Sequence, residues 1–171
     1  MTDWEKIVGE FTANRKNVKS IYTGQDITPE LLKKHSYCNL DVDEKPLVVV
    51  NSGRTLMNLC ASGMVITNKS IFYRLTNPSF FAGLFGMFMK PIVGKTPVET
   101  VYHFQIGEQD TCAGTAYVGH FLMINDKKLG LLRMGNGVYM NDAMIEFING
   151  LSSFLVKKGV LNKEPTEYLW Q

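Results

Sequence analysis

Residues 61–75, ASGMVITNKSIFYRL, contain two runs of β-branched and aromatic residues separated by Asn68 and Lys69. Such runs are typical of strands, and a short polar break between them is typical of a tight turn. The same pattern starts at Leu47, where Ser-Gly and Ala-Ser-Gly interrupt further apolar runs. These residues therefore predict short antiparallel strands joined by tight turns.

Further strands are predicted in the second half of the chain. Residues 98–106, VETVYHFQI, alternate with a period of two, which favours a strand. Residues 114–126 and 127–134 form a predicted hairpin with Asn125 and Asp126 at its turn. The chain then has about six or seven antiparallel strands with no helix between them, which predicts a mainly β (α+β) barrel or folded sheet.

Helices are predicted at both ends of this β region. Residues 3–20 have apolar positions at helical spacing, and Thr28 followed by Pro29 is a typical helix start. The last helix is predicted to begin at Asn141 or Asp142 and to end before Gly159. Its apolar stripe consists of Met144, Ile145, Ile148, Leu151 and Leu155. The predicted organisation is a helical preface at 1–45, a barrel domain at 46–160 and a tail at 161–171.

Composition limits the function classes. The 171 residues have a net charge of +2 with the two signs interspersed, whereas nucleic-acid binding needs a concentrated cationic face. Three widely separated cysteines form no disulfide framework, which is typical of a reducing compartment. The amino terminus has acidic residues where a signal peptide needs basic ones. We therefore expect a cytoplasmic protein that does not bind nucleic acid.

The order of many strands followed by one amphipathic helix resembles the pleckstrin-homology-like (PH-like or GRAM-like) domains of bacteria. Residues 61–75 are similar to a short signature of that family, with Gly63, Thr67, Asn68-Lys69 and Phe72-Tyr73 in the matching places. Residues 121–132, FLMINDKKLGLL, resemble the penultimate hairpin of the family. The resemblance covers roughly residues 45–158. It implies a partly open antiparallel barrel of about seven strands capped by the C-terminal helix.

The chain departs from that family in residues 78–96, PSFFAGLFGMFMKPIVGKT, which contain a long apolar insertion. The apolar run is too short and too interrupted for a membrane span. Its Gly-Lys-Thr ending lacks the first glycine and the following helix of a phosphate-binding loop, and we expect a strand after Thr96. If the segment is helical, its stripe could cap the barrel or a sheet edge, form a self-association surface, or dip into a membrane beside Lys90 and Lys95.

Other chemistry has little support in the sequence. His35 is expected at a surface helix end, and His103 and His120 on strands as bonded or solvent-facing side chains. Cys112 and His120 could meet across a hairpin, but no acidic residue is identifiable as their third partner. Asp41, Asp43 and Glu44 are expected in a solvated connector. No metal spacing is present, and the first strands lack the basic cluster that an inositol phosphate would need.

The sequence therefore predicts a non-catalytic protein-interaction or assembly module without a cofactor, a metal or an identified small-molecule substrate. Because the bacterial PH-like domains tend to form closed oligomers, the resemblance implies a homo-oligomer or a protein partner. The alternative is a peripheral membrane-surface adaptor that inserts the same apolar loop. We assign the contact surface to Phe80, Phe81, Leu84, Phe85, Phe88 and Met89.

Overall fold

The computed structural model describes residues 3–15, 17–54, 61–75, 90–111, 118–132 and 142–166. The helices are α1 (Asp3–Ala13), α2 (Pro29–Lys34) and α3 (Asp142–Lys157). The strands are β1 (Ile21–Thr23), β2 (Pro46–Arg54), β3 (Ala61–Thr67), β4 (Ser70–Leu75), β5 (Ile92–Pro97), β6 (Phe104–Thr111), β7 (Val118–Ile124) and β8 (Lys127–Leu132). Short 3₁₀ turns occupy Gly24–Asp26 and Val98–Thr100.

The described strands form two antiparallel sheets. The larger sheet has the order β1-β2-β3-β4-β5, and the smaller has the order β6-β7-β8. The fold is therefore α+β, with two antiparallel sheets and a C-terminal helix, as the sequence predicts at that level. Closure of the two sheets into a partly open barrel stays a prediction.

The first helix is shorter than predicted. It ends at Ala13 instead of residue 20, and residues 21–23 form a strand that pairs with Val48–Val50 of β2. The apolar Val18 fits the helical spacing locally, but the chain has to leave the helix to bring residues 21–23 to the edge of β2. Tertiary context of this kind regularly overrides local propensity. The predicted boundary at residue 45 stays a prediction, while residues on both sides of it share one apolar core.

Residues 98–100 correct a second prediction. They form a 3₁₀ turn after Pro97, closed by the bond from Val101 N–H to the Val98 carbonyl (3.1 Å) and by the bond from the Thr100 hydroxyl to the Pro97 carbonyl (2.8 Å). Strand β6 begins only at Phe104. The alternation of polar and apolar residues before Phe104 therefore reflects a turn joining the two sheets.

The predicted hairpin turn at residues 125–126 is confirmed. Asn125 and Asp126 have φ angles of 51° and 64°, as two-residue hairpin turns require. Asn125 also bonds the inter-sheet turn, because its Oδ1 accepts from Tyr102 N–H at 2.9 Å and its Nδ2 donates to the Thr100 carbonyl at 2.7 Å. One asparagine therefore closes a hairpin and holds the connection between the sheets.

The larger sheet has an apolar layer on each face, because successive side chains of a strand point to opposite sides. Val48 and Val50 belong to the main core, which also includes residues of α1, α3 and the smaller sheet. Val49 belongs to a second cluster with Leu31 of α2 and partly buried residues between 22 and 40. The helical preface thus covers the outer face of this sheet.

Helix α3 has the predicted apolar face, with all five residues of the predicted stripe buried. It also pairs with β6 through Asn149. The Asn149 Oδ1 accepts from Ile106 N–H at 2.8 Å, and its Nδ2 donates to the Ile106 carbonyl at 3.2 Å. This side chain therefore acts as a substitute for a neighbouring strand at the edge of β6.

The ends of the helices follow the predicted capping pattern. The Thr28 hydroxyl accepts from Leu31 N–H at 3.2 Å, as expected of an N-cap. Gly159 follows α3 with a φ of 72°, a left-handed conformation that favours glycine. The tail then docks on the inter-sheet region, because Asn162 N–H donates to the Tyr102 carbonyl (3.0 Å) and Thr166 N–H donates to Gln105 Oε1 (2.7 Å).

The connector at residues 41–45 is hydrogen-bonded to the end of β3 through the buried carboxylate of Glu44. The predicted solvated position is wrong for Glu44, whose side chain is 0% exposed. Its Oε1 accepts from the Thr67 hydroxyl at 2.6 Å, and its Oε2 lies 3.1 Å from Lys95 Nζ. Burial raises the pKa of Glu44, but these hydrogen bonds outweigh burial and hold that pKa below its ordinary value.

Thr67→Val should destabilise the fold through this contact. Valine keeps the shape, but the buried Glu44 carboxylate loses a donor, and the N–H groups of Lys69 (3.1 Å) and Ser70 (2.8 Å) lose their acceptor. We expect a loss of about 1–3 kcal/mol in the free energy of unfolding, measured by chemical denaturation. Thr100→Val is the matched control, since its hydroxyl bonds only on the surface, and should change stability by less than about 0.5 kcal/mol. Equal effects of the two substitutions would contradict this account.

Candidate functional site

The predicted contact residues, Phe80, Phe81, Leu84, Phe85, Phe88 and Met89, lie outside the described residues. The strand ends that bound this segment are described. Leu75 at the end of β4 pairs directly with Ile92 at the start of β5. An ordinary hairpin connects such a pair with about two to five residues, whereas residues 76–91 connect these two strands. We call residues 76–91 the insertion.

The flanks of the insertion combine buried and exposed apolar residues. Leu75 is fully buried, and Ile92 packs partly buried against the main core. Val93 is 51% exposed, which is unusual for a large apolar residue among those described in this chain. Lys90 is exposed. The hairpin that carries the insertion is therefore anchored on one face and open to solvent on the other.

The Gly94-Lys95-Thr96 triplet lies within β5, whereas the sequence predicted a strand after it. A Cβ atom on Gly94 would clash with the tip of the Tyr73 ring, so this ring covers the strand at the glycine. A 3₁₀ turn follows the triplet, and a phosphate-binding loop would need a long helix at that point. The triplet is thus part of the sheet.

Lys95 is held by two carboxylates. Its Nζ lies 3.1 Å from Glu44 Oε2 and 3.4 Å from Asp41 Oδ2, and 4.8 Å from the centre of the Phe72 ring. The hydrogen bond to Glu44 raises the pKa of Lys95, which keeps it charged. This cation therefore neutralises a buried acid within the chain and is not free to attract an external anion.

A second group of charges surrounds the turn at Asp126. Lys163 Nζ lies 2.7 Å from Asp126 Oδ1, and His103 Nδ1 lies 3.3 Å from the same oxygen. The hydrogen bond from Lys163 lowers the pKa of Asp126, so the carboxylate stays charged. This contact joins the tail to the β7–β8 turn, which is a structural role.

All three histidines are buried. The prediction of a surface position is wrong for His35, which is 0% exposed at the carboxyl end of α2. His103 precedes β6 instead of lying within a strand, and His120 lies in β7 as predicted. Cys112, which the sequence left open as a partner of His120, lies outside the described residues. Within the described part of the chain, no three His, Cys, Asp or Glu side chains are placed to hold a metal ion.

Burial lowers the pKa of each histidine. That of His35 falls to about 4, first because it is desolvated and second because Lys34 is nearby. Its Nδ1 lies 3.0 Å from the Tyr37 Oη, and its Nε2 has no hydrogen-bond partner among the described residues. Desolvation also raises the pKa of Cys38 to about 12, so this thiol is protonated and weakly reactive. His35 and Cys38 therefore lack the features of a nucleophile and its base.

The sequence does not indicate the partners of Lys95, nor that the outer edge of β5 has no partner strand among the described residues. Asp41 and Glu44 have the pattern of connector residues, and no local signal pairs them with a lysine more than fifty positions away. The exposed Val93 has a weak signal in the sequence, because its neighbours Pro91 and Pro97 are typical of strand edges. Only the topology shows that β5 ends the sheet.

The comparisons do not identify a family. Family models, curated proteins and solved structures gave no match to this chain. Within the described residues, none of the helices combines the length and the apolar character that crossing a bilayer requires.

The lowered pKa values of the buried histidines predict how the free energy of unfolding depends on pH. A histidine whose pKa is lower in the folded state binds fewer protons there than in the unfolded chain, so stability falls as the pH falls from about 6.5 towards 4. For His35 the shift corresponds to about 3 kcal/mol across that interval, lost progressively from the upper value. Carboxylates such as Glu44, whose folded pKa is lowered, lose their contribution only below about 4.5.

His35→Gln should flatten the pH dependence of the free energy of unfolding between about pH 6.5 and 4, because glutamine does not titrate. Denaturant titrations at several pH values measure this slope. Lys33→Gln, on the same helix but exposed, is the control and should leave the slope unchanged. An unaltered slope in the His35 variant would show that this histidine is protonated without cost in the folded state.

Proposed function

We propose that this chain is a non-catalytic assembly module with a PH-like fold, and that copies of it associate through the insertion. The observation that carries the proposal is the Leu75–Ile92 pair, from which a long connection leaves a sheet at its edge. The residues of that connection include Phe80, Phe81, Phe85 and Phe88. A hairpin turn needs none of these aromatic residues, whereas protein interfaces are enriched in them.

The order of the elements supports the PH-like part of the proposal. From the connector onward, four strands (β2 to β5) form a consecutive antiparallel sheet, and three more (β6 to β8) form the second. Helix α3 follows the last strand and packs on β6 and in the main core. This arrangement agrees with the seven strands and the terminal helix that the resemblance implies. The short β1 and the helical preface are additions to that plan.

The charges around the insertion favour association with protein over membrane insertion. A shallow membrane contact needs free cations near the apolar residues, to attract anionic lipid headgroups. Lys90 is exposed, but Lys95 is engaged by Glu44 and Asp41. The described flanks of the insertion therefore present the exposed Lys90 and the partly buried Arg74, and two separated cations are little attraction for a lipid surface.

We expect the purified protein to be a closed oligomer at tens of micromolar, and Phe85→Ser combined with Phe88→Ser to convert it to monomers. The physical reason is that the serines remove apolar area that only the oligomer buries. Light scattering coupled to size exclusion measures the mass. The matched control is Phe85→Leu with Phe88→Leu, which keeps the apolar area and should keep the oligomer.

Two results would contradict the proposal. One is a wild-type protein that remains monomeric at tens of micromolar. The other is sedimentation with anionic vesicles that is lost in the double serine variant and retained in the double leucine variant. The second result would assign the insertion to a membrane surface.

A further inference from the structure

Strand β5 is the last strand of the larger sheet, and among the described residues no strand pairs with its second edge. In its ladder with β4, Ile71 is opposite Thr96 and Phe72 is opposite Lys95. One step beyond this ladder, Val98 N–H donates to the Lys69 carbonyl at 2.8 Å. Hydrogen-bonded and non-bonded pairs alternate along an antiparallel ladder. Every second residue of β5 therefore bonds to β4, and the main-chain groups of Val93 and Lys95 point away from the sheet.

The outward edge of β5 is bounded by prolines. Continuing the alternation, the outward positions are 91, 93, 95 and 97, and the first and last of these are Pro91 and Pro97. Proline has no N–H to donate. The outward N–H donors are therefore those of Val93 and Lys95, which are placed symmetrically about Gly94.

This pattern is self-complementary. If two β5 strands lie antiparallel with a twofold axis at Gly94, Val93 of each copy is opposite Lys95 of the other. Each such pair exchanges two main-chain hydrogen bonds, and the prolines end the ladder at both sides. A register centred on Val93 or on Lys95 would instead place a residue with an N–H group opposite a proline, and such a pair exchanges only one hydrogen bond. The Gly94-centred register is thus the one in which both outward donors belong to pairs that exchange two hydrogen bonds.

Lysine and proline usually protect an edge strand from pairing. In β5 the lysine does not serve this role as a free charge, because its Nζ is bound to Glu44 and Asp41. The remaining exposed side chain at the centre of the edge is the apolar Val93, which is 51% exposed and would be covered by the second copy. The edge therefore lacks the free charge that would oppose pairing.

We propose that two copies of this chain associate by antiparallel pairing of their β5 strands, centred on Gly94. Their larger sheets then form one continuous sheet, a recognised mode of strand addition. The inference rests on the proposed self-association and adds a second contact to it. It uses described main-chain groups, and the only residue of the insertion that it involves is Pro91, which ends the ladder.

Amide hydrogen exchange measured by NMR tests this pairing without a substitution. The amides of Val93 and Lys95 should exchange at least tenfold more slowly in a concentrated sample than in a dilute one, because only the dimer bonds them. The amides of Gly94 and Thr96 bond to β4 in either state and provide the internal control. Fast exchange of Val93 and Lys95 in a sample that light scattering shows to be oligomeric would overturn the proposal.

Val93→Pro provides the second test. It removes an outward N–H that is not used within the sheet, and we expect the dissociation constant to rise at least tenfold. Val93→Thr keeps the N–H and the branched shape, and should change that constant by less than about threefold. Circular dichroism checks that both variants fold. If the Val93→Pro variant does not fold, the amide-exchange experiment on the wild type tests the edge pairing on its own.

The experiments distinguish the two proposed contacts, the insertion and the outer edge of β5. If the wild type is an oligomer and a folded Val93→Pro variant associates as tightly, edge pairing is wrong and the insertion remains as the contact. If the double serine variant stays dimeric and Val93→Pro is monomeric, the insertion is not the contact and edge pairing is supported. A wild type that is monomeric at all accessible concentrations overturns both.

Discussion

The buried carboxylate of Glu44 bonds to three parts of the chain, and one of them is β5. A carboxylate without solvent costs several kcal/mol unless donors surround it. Here the donors come from the β3–β4 turn (Thr67), from β5 (Lys95) and from the connector itself, where Asp41 N–H lies 3.4 Å from Oε2. The Trp4 indole donates to the Thr67 carbonyl at 3.0 Å, which brings in α1. The preface, the turn and the edge strand are therefore fixed by one cluster.

The edge of β6 and the edge of β5 differ in the hydrogen bonds that they receive from other described parts of the chain. At β6 the side chain of Asn149 bonds both main-chain groups of Ile106, and the tail adds a bond to Gln105. An unpaired strand edge can pair with other chains, and such a cover prevents it. The described residues provide no comparable cover for β5. Among the described residues, a helix side chain therefore covers the edge of β6 and the outer edge of β5 has no such cover, and the proposed pairing uses the edge of β5.

Local signals account for the parts of the fold that the sequence predicted. Thr28 with Pro29, the Asn125-Asp126 turn and Gly159 each act through neighbouring backbone, so their residue types suffice. The missed features depend on distant partners. Residues 21–23 become a strand because β2 offers an edge. Helix α2, which ends beside the buried His35, packs through Leu31 in a cluster with Val49, Val65 and Phe72. The candidate contact residues of the insertion lie outside the described residues, so their role stays a prediction.

Lys95 shows why the candidate site was only partly predictable. In the sequence it belongs to a Gly-Lys-Thr ending and to a pair of cations beside an apolar segment, and both patterns suggest a role towards an external ligand. In the structure Lys95 forms an ion pair with Glu44 instead, because a buried carboxylate is stabilised by a nearby cation. Because this ion pair neutralises Lys95, β5 has no free lysine charge at its edge. For the same reason Lys95 is not available as a cation beside the insertion. The same ion pair therefore weakens the case for a membrane surface and strengthens the case for contact with another protein copy.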